Sequence, residues 1–111
     1  MRKLNIGIVA CSNVAVKRFI PALLKSKNAN LSIIGSRYLE KAQKIADQFN
    51  CSNYGNYNDV LINKDVDVVY ISTPITLREE LTVTAIKNNK HVICEKPAFI
   101  DFDTSSKVLA L

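Results

Sequence analysis

Apolar residues follow two rhythms along this chain. Leu4 to Ala10, Leu31 to Ile34, Val66 to Ile71 and His91 to Cys94 are apolar, largely β-branched runs, the pattern of strands buried on both faces. Between them the spacing turns helical. Val16, Phe19, Ile20, Leu23 and Leu24 make one stripe, Leu39, Ala42, Ile45, Ala46 and Phe49 a second, and Leu77, Leu81, Ala85 and Ile86 a third. Strand and helix alternate throughout, which predicts right-handed crossovers and a parallel sheet covered on both faces. The expected fold class is α/β, a doubly wound parallel sheet forming a single domain over residues 1–111.

Local punctuation refines these elements. Thr76 followed by Glu79 reads as a capping box, hydroxyl to a first-turn amide and carboxylate back to the cap's own amide. Asn88-Asn89 is expected to end that helix, because Asn tolerates the left-handed conformation. Asn56 is expected to cap a short helix from Tyr57 to Ile62, and Asp101 a last helix running to the chain end. Pro21 has no amide proton and crowds the preceding turn, so the first helix should kink or break near Arg18 to Ile20.

A chain of 111 residues suits one domain with an apolar core that needs no staples. Fifteen basic against ten acidic residues give a net charge of +5, yet the cations are scattered and there is no Trp. A nucleic-acid surface is not expected. Three cysteines without C-x-x-C spacing and one histidine offer no zinc set, so reduced thiols and no metal are expected. The apolar run after Met1 is too short for a signal peptide, and nothing approaches a membrane span. The expected location is cytoplasmic.

In a doubly wound sheet a ligand lies beyond the carboxyl ends of the strands. After the first strand comes "ACSNVA". A dinucleotide fingerprint has the spacing G-x-G-x-x-G/A, and its three positions here hold Ala10, Ser12 and Ala15, all small but none glycine. A strand running into a Ser-capped helix fits the same letters. The free amides and positive dipole end of that helix favour a phosphate in either case. After the second apolar strand comes "GSR", with no acid for ribose hydroxyls. Ser36 and Arg37 suit a 2′-phosphate, or Arg37 is simply solvated. Further on, "STPIT" follows Ile71 and "EKP" follows Cys94. A lysine at a strand's carboxyl end avoids the core because burying its charge is costly, so Lys96 faces the crevice or open water.

Taken as an ordered series, "IGIVACSNVA", "SRYLEKAQKIA", "DVDVVYISTP" and "KHVICEKP" closely resemble the Gfo/Idh/MocA oxidoreductases, the glucose-fructose oxidoreductase and inositol dehydrogenase family. The resemblance implies a Rossmann domain that binds NAD(P). It places Ala10, Ser12 and Asn13 against the pyrophosphate, Ser36 and Arg37 at the adenosine end, and Thr73 and Pro74 at the middle of the cofactor. Glu95 and Lys96 would lie near the nicotinamide ribose and substrate, with Lys96 as the catalytic lysine that holds or polarises the reacting hydroxyl. Where the family often has Asn and His after its T-P, this chain has Ile75 and Arg78.

Full members continue into a second, substrate-binding α/β domain, which is not within these residues. The expectation is therefore the nucleotide-binding half of an oxidoreductase acting on a sugar or polyol derivative, incomplete as a catalyst alone and self-associating through its uncovered face. NADP is the expected cofactor, with NAD as the alternative. A non-catalytic nucleotide-binding or regulatory module, or a truncated gene product, are the competing readings. Cys11 and Cys51 read as tolerated loop or connection residues, Cys94 as a buried strand residue, His91 as a turn residue, and Tyr54, Tyr57 and Tyr70 as core and rim packing.

Overall fold

The structure, a computed structural model, describes residues 3–94. Five strands, β1 (Leu4–Val9), β2 (Ala29–Gly35), β3 (Tyr54–Gly55), β4 (Val68–Ile71) and β5 (His91–Cys94), form one sheet in the order β3-β2-β1-β4-β5. Every pairing is parallel. The chain winds outward from β1 through β2 to β3, then starts again on β1's other side with β4. That reversal opens a crevice at the carboxyl ends of β1 and β4.

Period-two alternation divides the apolar residues between two layers. Ile6, Ile8, Ile34, Val68 and Tyr70 face one layer, where they meet Ile20 and Leu23 of α1 (Ile20–Lys25) and Ile45 and Ala46 of α2 (Leu39–Gln48). Val9, Ile33, Val69 and Ile71 face the other, with Val60 and Leu61 of α3 (Tyr57–Ile62) and Ala85 of α4 (Ile75–Lys87). Gly7 and Gly35 let α3 sit close to the sheet: a Cβ at Gly7 would lie 2.6 Å from Val60 Cγ1, and one at Gly35 2.5 Å from Val60 Cγ2. Phe19 stacks on Tyr70 with ring centroids 3.8 Å apart, sealing the first layer.

The break expected before Pro21 is present as a turn of π-helix, Ala15–Phe19, in which Ile20 N–H bonds the carbonyl of Ala15 five residues back. The widened turn makes room for the proline ring, which then sits in the first turn of α1, where an amide is dispensable. Asn56 caps α3 as expected and forms a full capping box with Asp59, at 2.9 Å and 2.8 Å. Asn88 and Asn89 end α4: Asn89 has φ 63° and its N–H bonds Ile86 O, while Lys90 N–H bonds Ala85 O, a Schellman motif with Asn in the glycine position. The last helix expected after Asp101 lies outside the described residues.

Three expectations are corrected. The capping box at Thr76 and Glu79 does not form, because α4 already begins at Ile75 with Pro74 in the cap position and no side-chain cap bond. Proline's fixed φ starts this helix by geometry. Of the apolar stripe Leu77, Leu81, Ala85 and Ile86, Ala85 is buried in the core and Leu81 packs against it, but the rest of α4's buried face is Arg78 and Thr82. Leu77 is left 37% exposed. Finally, β5 is not buried on both faces but alternates exposed and half-buried from His91 to Cys94, since among the described residues it is the sheet's last strand. The half-buried Cys94 thiol instead meets Thr82 Oγ1 at 3.7 Å.

Candidate cofactor groove

A groove of about 240 Å³ opens at the carboxyl ends of β1, β2 and β4, where the strand order reverses. Three loops build it. The first leaves β1 through Ala10, whose φ of 87° is a conformation L-residues rarely adopt and which costs on the order of 1 kcal/mol for a residue with a Cβ. This is the first position of the fingerprint spacing, the one that makes the tight turn. Ser12 then starts the helix, accepting Ala15 N–H at 3.1 Å on its hydroxyl.

The hydroxyls lock this loop to the one after β4. Ser12 Oγ–H donates to Ser72 Oγ at 2.7 Å, and Ser72 Oγ–H donates to Ala10 O at 3.4 Å. Ala10 N–H in turn bonds Gly35 O at 3.1 Å, tying in β2. The β4 loop continues through Thr73, 1% exposed, whose Oγ1 has no hydrogen-bond partner among the described residues. An orphaned hydroxyl at that depth costs free energy, and the groove it lines is where a ligand acceptor would satisfy it.

The third loop, after β2, brings charge. Ser36 is buried and accepts Tyr38 N–H at 3.2 Å, which fixes the turn. Arg37 is exposed, with its guanidinium 5.9 Å from the centre of the Tyr38 ring. Lys41 follows in α2's first turn, and Tyr57 enters from the start of α3. Two cations and no carboxylate stand among the described lining residues. Burial pushes the Tyr57 hydroxyl's pKa up, with Arg37 pulling against it. Burial likewise raises the Cys11 thiol, against the opposing pull of Lys41 and Ser36. Cys11 is therefore a neutral wall residue whose Sγ meets Gly35 O at 3.7 Å.

Of the residues named from sequence, Ala10, Ser12, Ser36, Arg37, Thr73 and Pro74 come together in this groove. Asn13 is exposed at the helix start and is not among the lining residues. Glu95 and Lys96 lie outside the described residues. Cys11, Tyr38, Lys41, Tyr57 and Ser72 line the groove without having been singled out for it. Lys41 carried a usable signal, standing four residues after Arg37 at the head of a helix. Tyr57 carried none, because tertiary packing alone brings α3 to this edge.

A 3-2-1-4-5 parallel sheet with a cationic groove at its switch point defines a dinucleotide-binding Rossmann domain. Residues 4–111 match the family model described as an oxidoreductase family with an NAD-binding Rossmann fold, and the chain belongs to that family, the Gfo/Idh/MocA oxidoreductases. It is 37% identical over 97 residues to a dTDP-3,4-didehydro-2,6-dideoxy-alpha-D-glucose 3-reductase of Streptomyces violaceoruber, covering 87% of this chain and 28% of that protein. It is 32% identical over 103 residues to D-xylose 1-dehydrogenase (NADP(+)) 2 of Haloferax volcanii, covering 92% of this chain and 31% of the relative. Among solved structures, a 3-ketoreductase from Actinomadura kijaniata in complex with NADP and TDP-benzene superposes with a TM-score of 0.93 at 28% identity, over 98% of this chain and 34% of that one. The chain thus spans about a third of the length of these relatives.

Proposed function

We propose that this chain is the NADP(H)-binding part of an oxidoreductase acting on a sugar derivative. The observation that carries the reading is the pairing of Arg37 and Lys41 at the end of β2, with no carboxylate among the described residues that line the groove to take ribose hydroxyls. Two cations with the buried Ser36 suit a 2′-phosphate, and Arg37 offers paired, charge-assisted hydrogen bonds. The Thr73 hydroxyl, orphaned among the described residues, and the positive dipole end of the Ser12-capped helix fit the remainder of a dinucleotide. Relatives named for NADP(+) and for nucleotide-sugar or xylose substrates support the same reading.

When bound, a nicotinamide cofactor supplies hydride exchange with a carbinol carbon. This chain's part is to bind and orient it: Ser12 and Thr73 along its middle, Ser36, Arg37 and Lys41 at the adenosine end. Lys96 takes its role, holding or polarising the reacting hydroxyl, from the family resemblance. Substrate must also be held against the nicotinamide face, and orientation supplies much of the rate. Relatives three times as long have the additional chain for that wall. Three free thiols fit a reducing, cytoplasmic setting. Among the described residues no helix is long and apolar enough to cross a membrane.

The test is calorimetric titration with NADPH and NADH. Arg37→Ala should weaken NADPH binding by about tenfold to a hundredfold, the loss of one or two charge-assisted hydrogen bonds, and leave NADH nearly unchanged. Equal losses for both cofactors would show that Arg37 merely stacks on adenine.

A further inference from the structure

Arg78 is 8% exposed, on the inward face of α4 and outside the apolar stripe expected to form it. Burying a guanidinium costs free energy unless its donors are used. One use is plain: Nε–H donates to the carbonyl of Thr73 at 2.9 Å, reaching back from the helix's first turn to the loop that precedes it. Thr73 lines the groove, and among the described residues its buried hydroxyl has no hydrogen-bond partner.

We propose that Arg78 is a positioning residue for the dinucleotide, fixing the Thr73 backbone so that the Thr73 hydroxyl is presented to an oxygen of the cofactor's phosphate or ribose. The inference rests on the dinucleotide reading above. The loop is clamped from both sides, by Ser12 and Ala10 through Ser72 and by Arg78 through the Thr73 carbonyl. Pro74, with φ −52°, stiffens its exit into α4. A hydroxyl held this way is preorganised, so its hydrogen bond to the cofactor forms without ordering cost. An apolar side chain at 78 would fill the space yet leave the Thr73 carbonyl unpaired, and the loop would relax.

The clamp acts at the middle of the cofactor, away from the Arg37 and Lys41 end, and that separation supplies the test. Wild type, Arg78→Met, Arg78→Lys, Thr73→Val and the Arg78→Met/Thr73→Val double variant are titrated with NADPH and with adenosine 2′,5′-bisphosphate, which reaches only the adenosine end. Thermal midpoints are recorded alongside. Arg78→Met and Thr73→Val should each weaken NADPH by about tenfold and leave the bisphosphate within about twofold, and the double variant should be no worse than the poorer single variant. Thr73→Val should do so without lowering the thermal midpoint, since it removes an orphaned hydroxyl. Arg78→Lys, which keeps the charge and one donor, should recover part of the NADPH affinity.

Should Arg78→Met fail to fold, Thr73→Val and Arg78→Lys carry the same comparison. Parallel losses for both ligands, or additive losses in the double variant, would overturn the positioning role while leaving the dinucleotide reading intact. Failure of the wild-type chain to bind either ligand would overturn both.

Discussion

The two ends of the sheet are built on opposite principles. At the amino end, polar groups are tied down. Asn5 N–H donates to Asp67 Oδ2 at 2.8 Å, Asn5 Nδ2 to Asp65 O at 2.9 Å and Asn30 Nδ2 to Asn5 Oδ1 at 3.3 Å. Asp67 N–H returns to Asn5 O at 2.8 Å, and His91 N–H reaches Asp67 O at 3.0 Å. The buried Lys90 ammonium closes the loop between α3 and β4 through the carbonyls of Asn63 and Val66. At the carboxyl end, among the described residues, the chain tolerates a left-handed alanine, an orphaned threonine hydroxyl and two cations with no carboxylate lining the groove. One end is arranged for stability and the other for a ligand, and the cost of the second is visible as strain.

The largest expected effect tests the amino end. Lys90→Met removes the donor from two carbonyls and should lower unfolding free energy by about 3 kcal/mol in urea titrations, through unpaired buried acceptors and a lost charged donor. NADPH affinity, measured where the variant is still folded, should not change. A loss below about 1 kcal/mol would mean that water replaces the ammonium freely, and the contrast between the ends would shrink accordingly.

A smaller effect of opposite sign is expected at the groove. Ala10→Gly relieves the φ of 87° and should raise unfolding free energy by about 0.5 kcal/mol, the relieved strain less the greater entropy that glycine gives the unfolded chain. An unchanged or lowered urea midpoint would show that the groove end carries no strain at this position.

The smallest effect is in alkaline solution. Burial raises the thiols of Cys11, in the groove, and Cys51 above 9.0. Each therefore contributes stability that is present below about pH 9 and lost as pH rises through its folded value, because the unfolded chain releases its proton first. Lys90 has the opposite sign: burial lowers it from 10.5, with Asp67 and Asp65 opposing, so its share of stability grows as pH climbs toward 10.5. The urea midpoint should fall between about pH 8 and about pH 10, and the Cys11→Ala/Cys51→Ala variant should be flat or rise slightly. A wild-type midpoint that rises over this range would show the lysine outweighing the thiols.

Much of the fold was legible because its signals are local. Strand runs and helix stripes follow from backbone periods of 2 and 3.6, and caps such as Asn56 with Asp59 or the Asn88-Asn89 stop involve residues a few positions apart. The strained Ala10 turn and the Ser12 cap were legible as a fingerprint spacing for the same reason. What failed was decided by packing and by the helix's actual start rather than by the spacing of apolar letters. The inward face of α4 carries Arg78 and Thr82 because of what the end of β4 and β5 offer them, the Thr73 carbonyl and the Cys94 thiol, and no stripe of hydrophobic letters encodes that rotation.

The sequence by itself determined the alternation of strand and helix, the parallel sheet and the small, polar and cationic residues at strand ends, since these depend on neighbours along the chain. The tertiary structure alone decided that Tyr57 joins Arg37 in one groove, that Ser12 meets Ser72, and that Thr73 is buried without a hydrogen-bond partner for its hydroxyl among the described residues. Those facts depend on which loops the 3-2-1-4-5 strand order sets side by side, and side-chain contact between loops some sixty positions apart leaves no period in the sequence to read.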